Sequence, residues 1–66
     1  MNQSWVTIDV NEVVRETDRA ILIRLQNGHE QWVPRSQIEN SDDFSTGDCD
    51  VEMSISEWFA TKEDLL

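Results

Sequence analysis

The sequence predicts a mainly β domain: a small, strongly bent antiparallel sheet, or an SH3- or OB-like barrel of roughly four or five strands, with a short C-terminal helix. Three observations predict it. Apolar and polar residues alternate with a period of two in separate stretches, Asn27-Gly28 sits between two such stretches, and Ser56 precedes the one segment with helical spacing. Alternation marks half-buried strands, and Asn-Gly is the strongest short hairpin signal.

Residues 5–10 alternate, with Val6, Ile8 and Val10 set against Thr7 and Asp9. Asn11-Glu12 interrupts before Val13-Val14, as a bulge or a short turn would. Residues 16–19 read as a turn, and residues 20–26 form the most apolar strand. A two-residue type I′ loop at Asn27-Gly28 pairs Arg24 with Gln31, Ile23 with Trp32 and Leu22 with Val33. In that register Ile21, Ile23 and Trp32 share one face and Leu22 and Val33 the other, which Arg24, Gln31 and His29 continue into solvent. The sheet is therefore expected to curl and bury residues on both sides.

Pro34 ends the strand because it has no amide to donate. Ser36 and Glu39 have capping-box spacing, which predicts a single helical or 3-10 turn with Ile38 pointing inward. Residues 40–48 are polar and read as an exposed loop pinned by Phe44 and turning at Gly47. Cys49, Val51, Met53 and Ile55 then alternate inward against Asp50, Glu52 and Ser54. Ser56 is a good N-cap for a helix whose stripe is Trp58, Phe59, Lys62, Leu65 and Leu66.

All 66 residues form one domain. A chain of this size buries only about 60% of the surface its unfolded form exposes. The core is therefore expected to lean on Trp5, Ile21, Ile23, Trp32, Val51, Met53, Ile55 and Trp58. A core this small is often completed by a partner, so a homodimer is in view.

The net charge is −9 and is unevenly spread. Residues 1–35 hold five acids and all four arginines, whereas residues 36–66 hold nine acids and only Lys62. Such a surface repels phosphate backbones, which disfavours duplex nucleic acid. It suits a protein partner with a basic surface, met by Asp42, Asp43, Asp48, Asp50 and Glu52. The longest apolar run, residues 20–23, is far too short for a membrane span. With no signal-like start and one cysteine, the expected location is the cytoplasm.

Catalytic chemistry finds no footing. His29 sits beside a turn, and Asp48 and Asp50 flank Cys49 and oppose a thiolate. With one histidine and one cysteine there is no zinc constellation, and Asp43-x-Ser45-x-Gly47 lacks calcium-loop spacing. No enzyme activity, metal or cofactor is expected. Arg24, Arg35, Gln31 and His29 make an alternative face for single-stranded nucleic acid.

Residues 14–22, Val-Arg-Glu-Thr-Asp-Arg-Ala-Ile-Leu, are followed by residues 30–38, Glu-Gln-Trp-Val-Pro-Arg-Ser-Gln-Ile, and later by Ser56-Glu57-Trp58-Phe59. This series resembles a small domain that recurs in bacteriophage and bacterial mobile-element proteins. Arg35 stands where that family has a lysine and Phe59 where it has a leucine. The resemblance covers most of the chain; it implies a phage or mobile-element setting and no particular mechanism. The expected function is a small, acidic, non-catalytic protein-interaction module. The alternatives are an inhibitor that mimics nucleic acid to block a host or defence protein, and a single-strand-binding small barrel.

Overall fold

The computed structural model describes residues 4–65. Four antiparallel strands, β1 (Trp5–Glu16), β2 (Ala20–Leu25), β3 (Glu30–Pro34) and β4 (Cys49–Ser56), form one sheet in the order β3-β2-β1-β4. A helix, α1 (Glu57–Lys62), closes the fold. The sheet is open: β3 and β4 are its edges and do not pair with each other. A closed barrel is not reached because Pro34 stops β3 after five residues. The chain then passes through a 3-10 turn (Arg35–Gln37) and touches the free edge of β4 only through an Ile38–Ile55 bridge and the Glu39 amide donating to the Ser54 carbonyl.

β1 is long because it absorbs the Asn11-Glu12 interruption as a bulge. Its register against β2 shifts between Val10 and Glu12, and again between Val13 and Arg15. Two extra residues in one strand bend it and strengthen its twist. One strand can therefore pair with β4 along its first half and β2 along its second. β4 follows the first bulge with Asp50 at φ 52, in the left-handed region. That break in alternation leaves Cys49 exposed rather than inward, opposite Glu12.

The β2–β3 hairpin departs from the type I′ expectation. The Gly28 amide donates to the Leu25 carbonyl and the Leu25 amide to the His29 carbonyl, so the loop has three residues, with Gly28 at φ +89. This is the turn-plus-bulge hairpin in which glycine takes the left-handed position and Asn27 need not. One extra loop residue shifts the register by one. Arg24 faces Glu30, Ile23 faces Gln31, Leu22 faces Trp32 and Ile21 faces Val33. A one-residue slip moves every side chain of a strand to the other face. Val33 is thereby buried, and Trp32 is turned out with 43% of its surface exposed.

The core is aliphatic. Val10, Val13, Ile21, Ile23, Val33, Met53, Ile55 and Ala60 are fully buried, with Ile8, Ile38 and Phe59 nearly so. Val51, Phe44, Val6, Leu25 and Leu65 pack at its margin. None of the three tryptophans belongs to it. Trp5 is outward by alternation with Val6 and Ile8, and Trp32 by the hairpin slip. Trp58 follows Glu57 on the solvent side of α1, whose buried residues are Phe59 and Ala60. Its ring lies under the Lys62 ammonium, 5.1 Å from the centroid. Leu66, the last residue of the expected helical stripe, lies outside the described residues.

Ser56 is a fully buried polar residue that joins three parts of the chain. Its hydroxyl oxygen accepts from the Phe59 amide at 3.1 Å, the expected N-cap, and its hydroxyl donates to Gln37 Oε1. The capping box expected of Ser36 and Glu39 does not form, since the 3-10 turn has no side-chain cap and the Glu39 amide is taken by β4. The turn itself and the inward Ile38 are as expected.

The register sets a stability order. Ile23→Ala empties a fully buried site and is expected to cost about 2–5 kcal/mol in urea unfolding, whereas Trp32→Ala is expected to cost well under half as much. A larger loss for Trp32 would restore the two-residue-loop register.

Candidate functional site

On the outer face of the β1–β4 pair the side chains of Thr7, Asp9, Glu52 and Ser54 lie side by side, because Thr7 pairs with Ser54 and Asp9 with Glu52. The segment latched to β4 lays Glu39, Asn40, Asp43 and Phe44 along the same surface. A shallow groove results, lined by Thr7, Glu39, Asn40, Asp43, Phe44, Glu52 and Ser54. Its volume of about 250 Å³ falls below the ~300–1,000 Å³ of small-molecule pockets.

Asp43 and Glu52 thus come together with two acids that the sequence reading did not single out, Asp9 and Glu39. Asp9 alternates outward visibly, but its place opposite Glu52 depends on pairing between strands some forty residues apart. The other expected acids go elsewhere. Asn40 at φ 57 opens the second 3-10 turn (Ser41–Asp43), which sends Asp42 to the opposite side of Phe44. There Asp42 lies 3.9 Å from Arg35. Asp48 accepts the Ser45 amide at 2.9 Å and so holds its own loop. Asp50 sits on the bend of β4, exposed.

The alternative face is not assembled as the sequence suggested. Arg24 lies on the outer face, where it donates to Glu12 at 2.7 Å and Glu30 at 3.0 Å. The bond to Glu30 leads in holding its guanidinium above the usual arginine range. Gln31, displaced by the slip, donates to the Trp32 carbonyl. His29 and Gln31 line a separate groove beside Glu63, Asp64 and Leu65. Arg35, beyond the far end of β3, donates to Glu16, to the Thr17 carbonyl and to the Ser41 carbonyl. The four residues form no common surface, because the slip and Pro34 separate them.

Glu16 is the hub of the loop anchor. Its carboxylate accepts from the Thr46 amide at 3.1 Å and the Thr46 hydroxyl, and pairs with Arg35 at 3.1 Å. The Thr46 amide, aided by Arg35, holds its pKa below the usual glutamate range. Among the described residues no three histidine, cysteine or carboxylate side chains converge as a metal site. The Cys49 thiol donates weakly to the Gly47 carbonyl and stands apart from His29. No described helix is long and apolar enough to cross a membrane. No family model matches the chain, and comparison with curated proteins and with solved structures finds no match.

A lowered carboxylate pKa contributes stability that is present above the unfolded-state value and lost as pH falls through the folded one. Unfolding measured between pH 7 and 3 should therefore show a loss below about pH 4.5 that is smaller in Glu16→Gln. An unchanged acid limb in that variant would remove Glu16 from the role of anchor.

Proposed function

We propose that this chain is a small, acidic, non-catalytic protein-interaction module, an accessory protein of phage or mobile-element type that works in the cytoplasm and binds a protein with a basic surface. One observation carries the reading. Asp9 and Glu52 stand directly opposite each other across β1 and β4, with Glu39 and Asp43 lining the groove beside Glu52. Like charges in directly opposed strand positions destabilise a sheet. Among the described residues none of these four carboxylates has a cation within ion-pair distance, whereas Arg24 and Arg35 are taken up by Glu12, Glu30, Glu16 and Asp42. A surface that is unfavourable in isolation and complementary to positive charge is the pattern of a binding face.

The phage-type resemblance fits an accessory role of this kind. A nucleic-acid mimic would draw on the same four acids. It needs carboxylates spaced along one face, and Asp42 beside Arg35 and Asp48 tied to Ser45 interrupt such a run. The single-strand reading gains one point from the hairpin slip, which brings Trp32 onto the face that carries Arg24. Arg24 is already held by two carboxylates there, so that face offers phosphate little unspent charge.

Replacing one member of the opposed pair separates stability from binding. Glu52→Lys turns a repulsive pair into an attractive one and is expected to raise stability by about 0.2–1 kcal/mol. The same change should abolish capture, from a lysate of the source cell, of the basic protein that the unaltered chain retains at low salt and releases at high salt. Equal retention by both proteins, or retention indifferent to salt, would sink the acidic-face reading. A captured protein that gives up bound DNA to this chain would favour the mimic.

A further inference from the structure

The strand order conceals an opening in the sheet. β1 pairs with β4 from Trp5 to Glu12, but with β2 only from Val10 to Glu16. Among the described residues, no strand therefore lies beside Trp5–Asp9 on the β2 side. The Glu57 amide donates to the Ser4 carbonyl, so those two residues are a bonded pair. Bonding in an antiparallel ladder recurs at every second residue, which turns the amides and carbonyls of Val6 and Ile8 toward β4. Those of Trp5, Thr7 and Asp9 point the other way. Among the described residues the Thr7 and Asp9 amides have no backbone partner there.

The two outer edges of the sheet are blunted, and this one is not. On β3, the Leu25–His29 bond sets the phase, so Glu30, Trp32 and Pro34 face the free edge. Pro34 has no amide, and the Trp32 carbonyl is taken by the Gln31 side chain. On β4, the Glu39 amide takes the Ser54 carbonyl and the Ile38–Ile55 bridge covers the same stretch. Below it the strand is bent at Asp50, φ 52. Sheets blunt their edges in such ways because a bare row of amides and carbonyls is a template for another strand. The row that is left bare calls for an extended backbone.

Its side chains specify the sequence of that backbone. A groove of about 480 Å³ runs along the opening, with Thr7, Ile8, Asp9, Leu25, Asp64 and Leu65 in its walls. Leu25 and Leu65 lie at the margin of the core, while Asp9 stands on the outer face opposite Glu52. We propose that residues 5–9 of β1 take up an extended basic segment of the partner as an antiparallel fifth strand. Aliphatic side chains of the segment turn toward Leu25 and Leu65, and lysine or arginine toward Asp9 and Glu52. Because Leu25 pairs with Val10, the hairpin tip stands at the Asp9 end of the opening. That limits the segment to about five residues, roughly 17 Å. Its basic character rests on the acidic-face reading; its extended form rests on the unpaired edge alone.

Amide hydrogen exchange of the full chain, followed by NMR with and without an end-blocked Lys-Val-Lys-Val-Lys peptide, tests the proposal. The Thr7 and Asp9 amides should exchange at least about tenfold more slowly with the peptide bound, as amides that gain a hydrogen bond do. Those of Val6 and Ile8, already bonded to β4, should change less. Methylating the lysine backbone amides, which face β1 in this register, should abolish binding, and methylating the valine amides should not. The peptide Glu-Val-Glu-Val-Glu should not bind. A lysine peptide that binds at low salt and leaves Thr7 and Asp9 exchange unchanged would overturn the added strand while the acidic face stands. Equal effects of the two methylations would do the same. Slowed exchange with the glutamate peptide as well would overturn the basic segment and the acidic-face reading with it, as would no binding of the lysine peptide at low salt. Protection of Thr7 and Asp9 that grows with chain concentration and needs no peptide would give the edge to a second copy and overturn the proposal.

Discussion

Gly28 holds a backbone angle that side-chain-bearing residues rarely adopt, φ +89, and the arrangement of the sheet follows from it. The three-residue loop it permits decides that Val33 rather than Trp32 meets Ile21 across the hairpin. With Val33 inward, the face toward the core is lined with aliphatic chains that interdigitate at close range. A tryptophan in the fully buried place of Val33 would overfill that face. Pro34 then follows in the outward position and releases the chain into the turn that delivers Ile38 to β4. A single glycine thus sets the hairpin and, through it, the crossing that covers the far edge.

Electrostatics divides the molecule along a different line from the one drawn by residue order. The arginines belong to the first half of the sequence, but Arg35 reaches across to Glu16, Ser41 and Asp42 and ties the polar loop to the end of β1. Thr46 completes that tie from the other side. The local anchors are therefore paired and hydrogen-bonded, and part of the surplus negative charge is left where β1 and β4 run together. Asp9, in the nominally neutral half, belongs to that surplus. A surface charge of one sign that is not needed to hold the loop projects its field into the surrounding solvent.

Much of the architecture is legible in the sequence because it is local. The alternation in β1, β2 and β4, the Ser56 cap, the turn after Pro34, the pinning of the loop at Phe44 and the turn at Gly47 each depend on neighbours within a few residues. What the sequence misplaces depends on a count of one. Asn-Gly supports both a two-residue and a three-residue loop, and only the second leaves the smaller Val33 inside. The tryptophans are a second case: ring size suggests burial, but alternation turns Trp5 outward, the hairpin register Trp32, and the solvent side of α1 Trp58. Cys49 is a third case, reversed by the left-handed Asp50 opposite the β1 bulge. Half of the acidic groove was visible as Asp43 and Glu52. Asp9 and Glu39 were not, because their nearness to Glu52 comes from long-range pairing and from the latch of residue 39 onto Ser54.

The pairing of β1 with β4 is also the longest-range closure in the sheet. β1, β2 and β3 are joined by short turns, so their pairing closes small loops at little entropic cost. Trp5 and Ser56 must meet across nearly the whole chain, and the Ser56 hydroxyl reaches Gln37 and Phe59 only after they do. That closure carries the largest entropic cost of any pairing in the sheet. It is this pairing that gives Met53 and Ile55 their strand neighbours and sets Asp9 opposite Glu52. The groove exists only where this pairing is made, so the acidic face marks a completed sheet.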